Sequence, residues 1–130
     1  MKTEKNILLN SIAQAIFDKK GFNILALDIH DISTLTDFLV IAEGHVDRHL
    51  QTIAHAVIEG MKKLGRVPYV IEGMEEGEWI VLDYLDIIIH LFLPVFREKY
   101  QLERLWQKGG IVELKIQLDK NKEETGTKAL

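Results

Sequence analysis

Five aspartates lie near the ends of short apolar segments, where α/β proteins commonly place their active sites: Asp28, Asp31, Asp37, Asp83 and Asp86. Two-metal phosphoryl transfer needs carboxylates that converge on both ions, commonly two on one strand with a single residue between them. Asp83 and Asp86 are instead three residues apart across a turn, and Asp28 and Asp31 have the same spacing. We therefore expect these aspartates to accept hydrogen bonds from backbone donors in turns.

Histidines offer a second candidate site. His45 and His49 lie four residues apart at the start of a predicted helix, a spacing that puts two imidazoles on one face for a metal ion. No glutamate stands between them, so the H-E-x-x-H motif is incomplete, and we expect solvated or capping histidines. His55 is isolated. His90 stands among isoleucines and is expected to be hydrogen-bonded in or at the edge of the core, with contact to a partner as the alternative.

Other common catalytic signatures are missing from the sequence. Gly44 stands alone before the same helix, so there is no glycine-rich phosphate cradle, and no G-x-S-x-G serine is present. The chain contains no cysteine, which excludes disulfides, thiolate metal sites and a cysteine nucleophile. The sequence therefore predicts no catalytic residue, no metal site and no cofactor.

Trp79 belongs to a segment that alternates between two faces. In a strand, Trp79 shares one face with Val81 and Asp83, while Ile80 and Leu82 take the other. If the face of Ile80 and Leu82 packs on a helix, the face of Trp79 is left uncovered. Tryptophan beside aliphatic and acidic residues is typical of a protein-binding hot spot. The alternative is a core tryptophan covered by one of the helices.

The charge balance bears on the class of partner. With 16 Lys and Arg against 20 Asp and Glu, the formal net charge is −4, whereas binding through phosphate contacts needs a cationic face. We expect little direct nucleic-acid contact. The acidic balance favours encounter with a basic protein partner.

Hydrophobic periodicity supplies the elements that position these residues. Apolar residues at helical spacing predict one helix over residues 8–17, ended by a C′ glycine at Gly21, and a second over 46–64, ended by Gly65. Pro94 suits the first turn of a third helix, which we expect to continue to Trp106. Apolar and β-branched runs predict strands at 22–29, 36–42, 67–71, 79–83 and 86–93, with a further strand at 111–118.

This order of elements predicts an α/β fold with a mixed sheet of about five strands, or six with the last segment, packed with helices. We expect a single domain over residues 1–118 and a polar, disordered tail over 119–130. No apolar run approaches the roughly 20 residues that span a bilayer, and the N-terminal segment lacks the apolar block of a signal peptide. A cytoplasmic location is the default expectation.

The second half of the chain resembles a known family. EGMEEGEWIVLDYLDIIIHLFLPVFREKYQLERLW, residues 72–106, is similar to the conserved block of the Iojap-like ribosomal silencing factors. Its shared features are a tryptophan strand ending in Asp83, a D-hydrophobic-hydrophobic-hydrophobic-H strand and an R-x-x-Y-x-L-E-x-L-W helix. ALDIHDISTLTDFLVIAEG and DRHLQTIAHAV upstream resemble the same family, so the likeness covers most of the chain.

The resemblance implies a non-catalytic cytoplasmic factor that binds the fourteenth large-subunit ribosomal protein at the intersubunit face. Such a factor obstructs joining of the small subunit and so represses translation. The implied fold resembles nucleotidyltransferases but lacks their catalytic acids. The family's contact tryptophan falls on Trp79, and we extend the predicted partner-binding surface to Val81, Asp83, His90 and Tyr100.

Two other functions stay open. One is a nucleotidyltransferase-like enzyme that uses Asp83 and Asp86 with magnesium, and the other is a ribosome-assembly scaffold, which includes the case of a homodimer. The chain departs from the family at Leu85, where glycine is common, so the hairpin turn is expected to differ there.

Overall fold

The computed structural model describes residues 2–118, and the side chains of residues 4–118. The predicted tail at 119–130 lies outside the described residues. In chain order, the elements are α1 Lys2–Asp18, β1 Phe22–Asp28, β2 Phe38–Glu43, α2 Asp47–Lys63, β3 Val70–Glu72, β4 Trp79–Asp83, β5 Ile87–Phe92, α3 Pro94–Tyr100, a 3₁₀ segment Leu102–Trp106, and β6 Gly110–Ile111.

The strands form one mixed sheet in the order β3-β4-β5-β2-β1-β6. β2 and β5 run parallel, with Phe38 opposite Ile87, while the other neighbours are antiparallel. The predicted mixed α/β fold is confirmed. Its third strand lies at the sheet edge, where the missing N–H of Pro68 is tolerated just before the strand begins.

One face of the sheet is covered by α1 and α2. The core between them is built by buried side chains at helical spacing in the two helices and at alternate positions in the strands, including Ile12, Ile53, Val57, Ile80, Leu82 and Ile89. Ile80 and Leu82 are fully buried, which confirms the face predicted for them. This face therefore holds most of the apolar area that stabilises the fold.

The other face is only partly covered. A smaller cluster of Leu27, Ile29, Leu39, Ile41 and Phe92 packs against α3 and the 3₁₀ segment through half-buried Phe96, Leu102 and Trp106. Farther along the sheet, the residues of β4 and β5 that point to this face are half-buried, apart from Phe92. The fold thus leaves a surface on β4 and β5 that no helix covers.

The third helix is shorter than predicted. It ends at Tyr100 because Gln101 takes a left-handed conformation with φ 46°, and the chain continues as 3₁₀ helix. This break turns Leu102 and Trp106 back onto the smaller cluster. A straight helix to Trp106 would carry these apolar side chains away from the sheet.

The predicted strand at 111–118 is wrong beyond its first residue. Gly110–Ile111 pairs with β1 at the far edge of the sheet, and the N–H of Val112 donates to the carbonyl of Ala26 at 2.8 Å. Farther on, the N–H groups of Lys115 and Gln117 donate to the side-chain oxygens of Asn10 and Gln14 on α1, at 2.9 and 2.8 Å. The side chains of residues 112–117 do alternate between half-buried and exposed positions, but the segment lies against α1. The N–H groups of Lys115 and Gln117 therefore bond to side chains of a helix instead of to a neighbouring strand.

The end of α1 also differs from expectation. Lys20, with φ 68°, takes the left-handed position that we assigned to Gly21. Gly21 is required for a different reason, because a Cβ there would lie 2.4 Å from Cγ2 of Ile16. Gly65 does end α2 in the predicted way, with φ 80°.

Candidate protein-binding site

The five residues predicted to bind a partner lie together on the open face of the sheet. Trp79, Val81 and Asp83 follow one another along one face of β4, and Val81 is directly opposite His90 of β5. Tyr100 reaches the same place from the end of α3, with its ring centroid 4.9 Å from that of Trp79. We call these five residues the aromatic strip.

Trp79 is half-buried and held on three sides. Its ring centroid lies 4.8 Å from that of Phe92 and 4.9 Å from that of Tyr100. Its indole N–H donates to Nδ1 of His90 at 2.9 Å. The side chain is therefore neither a fully covered core tryptophan nor a free one. Phe92 was not singled out from the sequence, although the register of the hairpin places it opposite Trp79.

His90 is neutral and has a defined tautomer. Burial lowers its pKa to about 4, against an opposing effect of the Asp83 carboxylate. Because Nδ1 accepts the indole proton, the imidazole proton resides on Nε2. The expectation of a hydrogen-bonded histidine at the edge of the core is confirmed.

Arg97 keeps α3 on the sheet and thereby positions Tyr100. Its guanidinium donates to Glu43 at 3.0 Å, to Glu103 at 3.2 Å and to the carbonyl of Asn23. The side chains of Arg97 and Glu43 are only 12% and 10% exposed, so the pair is shielded from solvent. The sequence offers a weak signal for it, a lone arginine on the apolar side of a helix.

The β4–β5 hairpin turns tightly at Leu85, which has φ 74°, a conformation that favours glycine. The N–H of Asp86 donates to the carbonyl of Tyr84 at 2.9 Å and closes a three-residue turn. Asp83 Oδ1 accepts the N–H of Leu85 at 2.8 Å. The leucine is thus held in a strained turn by the strip's own carboxylate, as predicted for turn aspartates.

Asp86 belongs to the helix-covered side of the sheet. Its carboxylate accepts hydrogen bonds from Lys5 of α1 and from Arg66, which follows α2, the latter at 2.5 Å. Its backbone carbonyl accepts a hydrogen bond from the N–H of Asp37 at 3.1 Å. Burial alone would raise the pKa of Asp86, but the hydrogen bonds from Lys5 and Arg66 outweigh it and keep this pKa below its usual value. Since Asp83 faces the strip, the two carboxylates do not converge on a common metal position.

Two aspartates, Asp28 at the end of β1 and Asp31 after it, pair with a histidine. Asp28 Oδ1 lies 2.6 Å from Nδ1 of His30 and accepts the backbone N–H of the same residue at 3.2 Å, while Asp31 lies 3.0 Å from Nε2. The hydrogen bond that His30 donates to Asp28, together with both carboxylate charges, raises the pKa of the exposed His30. The turn role is confirmed for Asp28.

His49 ties the start of α2 to the end of α1. Its Nδ1 accepts the backbone N–H of His45 at 2.9 Å, and its Nε2 lies 2.7 Å from the carbonyl of Lys19. Both ring nitrogens are thus engaged by backbone groups outside α2. Since α2 has no side-chain cap at Val46, the expected capping role is wrong. Across residues 4–118, no three His, Cys, Asp or Glu side chains are grouped so that they could hold a metal ion.

An exposed carboxylate lies beside the strip. Glu72 of β3 is opposite Val81 and so shares its face. The exposed Glu75 and Glu76 follow in the chain, but they belong to a loop that Gln51 of α2 holds through the carbonyls of Met74 and Glu75, on the helix-covered side. The strip therefore combines aromatic and aliphatic surface with an acidic border.

These features define a class of protein. An α/β domain with a half-buried aromatic surface, an acidic border and no converging metal ligands among the described residues has the arrangement of a protein-binding domain. The family described as "Ribosomal silencing factor during starvation" matches residues 2–129, and the chain belongs to this family. The resemblance seen in the sequence is thereby confirmed.

Individual relatives agree with this placement. The ribosomal silencing factor of Halalkalibacterium halodurans is 34% identical over 107 residues, which cover 82% of this chain and 92% of that protein. The mouse "Mitochondrial assembly of ribosomal large subunit protein 1" is 42% identical over 101 residues, covering 75% of this chain and 44% of that protein. Their names refer to ribosome silencing or assembly and to no enzymatic reaction.

A crystal structure of a Chromobacterium violaceum protein has a similar fold. It superposes with a TM-score of 0.75 at 29% identity, covering 88% of this chain and 94% of that chain. None of the helices within residues 2–118 has the length and apolar character that a membrane span requires.

Proposed function

We propose that this chain represses translation in the cytoplasm by binding the large ribosomal subunit through the aromatic strip, without catalysing a reaction. The observation that carries the proposal is Trp79, a half-buried tryptophan fixed in place on the face of the sheet that α3 covers only in part. Tryptophans of this kind contribute most to binding at protein interfaces, because they bury a large area at small entropic cost.

The charge of the surface supports a basic protein partner. Asp83 belongs to the strip, the exposed Glu72 borders it, and the net charge of the chain is −4. Acidic groups around an apolar centre guide encounter with a cationic surface, while the apolar centre holds the complex. The partner that fits the family is the fourteenth large-subunit ribosomal protein, a protein contact with little nucleic-acid contact.

A factor bound there acts by steric obstruction. The fourteenth protein lies at the intersubunit face, so a 130-residue chain docked on it occupies space that the small subunit needs. No bond is made or broken in this mechanism. Release of the factor restores joining, and repression follows the occupancy of the large subunit.

Cosedimentation with purified large subunits, followed by an assay of subunit joining, tests the proposal. Trp79→Ala is expected to weaken binding about 30-fold, the effect of losing about 2 kcal/mol at a hot spot. The intact chain should prevent joining, and the variant should do so only at correspondingly higher concentration. Absence of binding by the intact chain, or equal binding by Trp79→Ala, would contradict the proposal.

Matched controls separate the strip from general surface effects. Tyr100→Ala should weaken binding, whereas Tyr69→Ala should not, because Tyr69 is 72% exposed at the sheet edge and lies outside the strip. Asp83→Asn should weaken binding and make it less sensitive to salt while keeping an oxygen for the N–H of Leu85. Asp31→Asn, at an exposed acid away from the strip, should leave binding unchanged.

A role in large-subunit assembly is a second candidate. It is favoured by the similarity to the mouse protein named for assembly of the mitochondrial large subunit. Depletion of the chain from cells should then cause precursors of the large subunit to accumulate in sucrose gradients. If mature subunits form at the normal rate, this second role is excluded and silencing alone remains.

A further inference from the structure

The hydrogen bond between Trp79 and His90 has a consequence for what the strip can recognise. The two residues are diagonal neighbours on adjacent strands, since Trp79 is opposite Phe92 and His90 is two residues earlier on β5. The indole N–H donates to Nδ1 of His90 at 2.9 Å, a normal length for this bond. The only polar atom of the tryptophan side chain is therefore already paired within the protein.

Ring contacts complete the fixation of the indole. Phe92 lies 4.8 Å away between ring centroids and is itself fully buried, so it provides a rigid support. Tyr100 lies 4.9 Å away on α3, which Arg97 ties to Glu43. A tryptophan has two rotatable side-chain bonds, and a hydrogen bond together with two ring contacts restricts both.

We propose that His90 is a positioning residue: it fixes the Trp79 indole and engages its N–H, so that the tryptophan presents only apolar carbon surface to the large subunit. This inference rests on the proposed function of the strip. It replaces the earlier expectation that His90 acts mainly as a direct contact. Fixation before binding removes an ordering cost that a mobile side chain would incur in the complex.

The inference also defines the chemistry of the partner. A protein that receives Trp79 needs an apolar socket without an acceptor for the indole N–H, because that proton is donated within the strip.

Two substitutions at His90 separate the acceptor from the rest of the side chain. His90→Asn keeps an acceptor near the position of Nδ1, whereas His90→Leu keeps apolar volume and removes the acceptor. We expect His90→Leu to weaken binding to large subunits between about threefold and tenfold, the effect of one net hydrogen bond. His90→Asn should stay within about twofold of the intact chain. Equal losses in both variants would mean that His90 is a direct contact and would overturn the inference.

A spectroscopic measurement tests the positioning without the ribosome. The chain has two tryptophans, so a ¹⁵N–¹H correlation NMR spectrum shows two indole N–H signals. The spectrum of Trp106→Phe identifies the signal that belongs to Trp79. The Trp79 signal should exchange slowly with water in the intact chain and in His90→Asn, and faster in His90→Leu. A Trp79 proton that exchanges equally fast in all three proteins would overturn the inference. If the intact chain fails to bind large subunits, the proposed function fails, while this measurement still decides whether His90 holds Trp79.

A double-mutant cycle guards against loss of folding in one variant. Trp79→Phe removes the side-chain N–H, so adding His90→Leu to Trp79→Phe should have no further effect on binding. The same further loss in both backgrounds would show that His90 acts independently of the indole and would overturn the inference.

Discussion

Gly73→Ala is expected to disturb the start of β4 and with it the position of Trp79. Gly73 has φ 78°, and a Cβ built there lies 2.0 Å from the backbone carbonyl oxygen of Trp79 and 3.1 Å from the carbonyl carbon. Both neighbours are backbone atoms, so no side-chain rotation relieves the clash. The strand or the turn before it must move.

Gly65 provides a matched comparison for the size of the effect. It has nearly the same φ, 80°, but a Cβ there meets nothing within 4 Å. A left-handed alanine costs about 1–2 kcal/mol, of which the stiffer unfolded chain returns about 0.4–1 kcal/mol, so Gly65→Ala should lose about 1 kcal/mol. The clash at position 73 adds about 1–3 kcal/mol, as for other overpacked sites. Gly73→Ala should therefore lose about 2–4 kcal/mol.

Denaturant unfolding of both variants measures the difference, and cosedimentation measures its effect on the strip. Gly73→Ala should bind large subunits more weakly than Gly65→Ala at a temperature where both are folded, because the moved carbonyl belongs to Trp79. Equal losses of stability in the two variants would refute the reasoning. They would show that the turn before β4 absorbs the added atom without resistance.

Three further predictions concern buried polar groups. Burial raises the pKa of Tyr84 to about 12, and its hydroxyl lacks a hydrogen-bond partner among the described residues. Tyr84→Phe should therefore raise the unfolding free energy, measured by denaturation, by about 1 kcal/mol. A lower unfolding free energy would show that the hydroxyl makes a hydrogen bond. Arg97→Met should lower the unfolding free energy by about 3 kcal/mol, because the Glu43 carboxylate stays buried and unpaired. Adding Glu43→Gln should recover part of this loss. Additive losses of unfolding free energy in the double variant would contradict the pairing. The pKa of His90 falls from 6.5 to about 4 on folding, so the unfolding free energy is unaffected by this group above pH 6.5 and decreases as the pH drops toward 4, by at most about 3 kcal/mol. His90→Leu should flatten this pH dependence of the unfolding free energy, measured by denaturation. An unchanged pH dependence in the variant would refute the prediction.

Much of the fold follows from local patterns. The alternation from Trp79 to Asp83 indicates which residues enter the core, and the structure buries Ile80 and Leu82 as expected. The alternation in 111–118 also predicts one inward side, and the structure has it, but most of this segment lies against α1 and not against a strand. A period of two residues states that a segment is extended and half-buried, and it does not state whether a strand or a helix lies beside it.

Only part of the candidate site could be predicted from the sequence. Its residues could be chosen from composition, strand faces and the family resemblance. Its internal contacts could not, because the contacts of Trp79 with His90 and with Tyr100 join residues of different elements, a strand pair and a helix. For that reason the sequence left Asp83 and Asp86 as an open metal pair, and their separate surroundings in the structure place them on opposite sides of the sheet.

The sequence by itself determined the α/β class, the two faces of β4 and the acidic, cysteine-free character of the chain, since periodicity and composition act over neighbouring residues. Only the tertiary structure decided that α3 breaks at Gln101, that Arg97 ties it to the sheet, and that His90 engages the indole of Trp79. These contacts depend on how distant elements meet across the sheet, and the distance between them along the chain carries no information about their geometry.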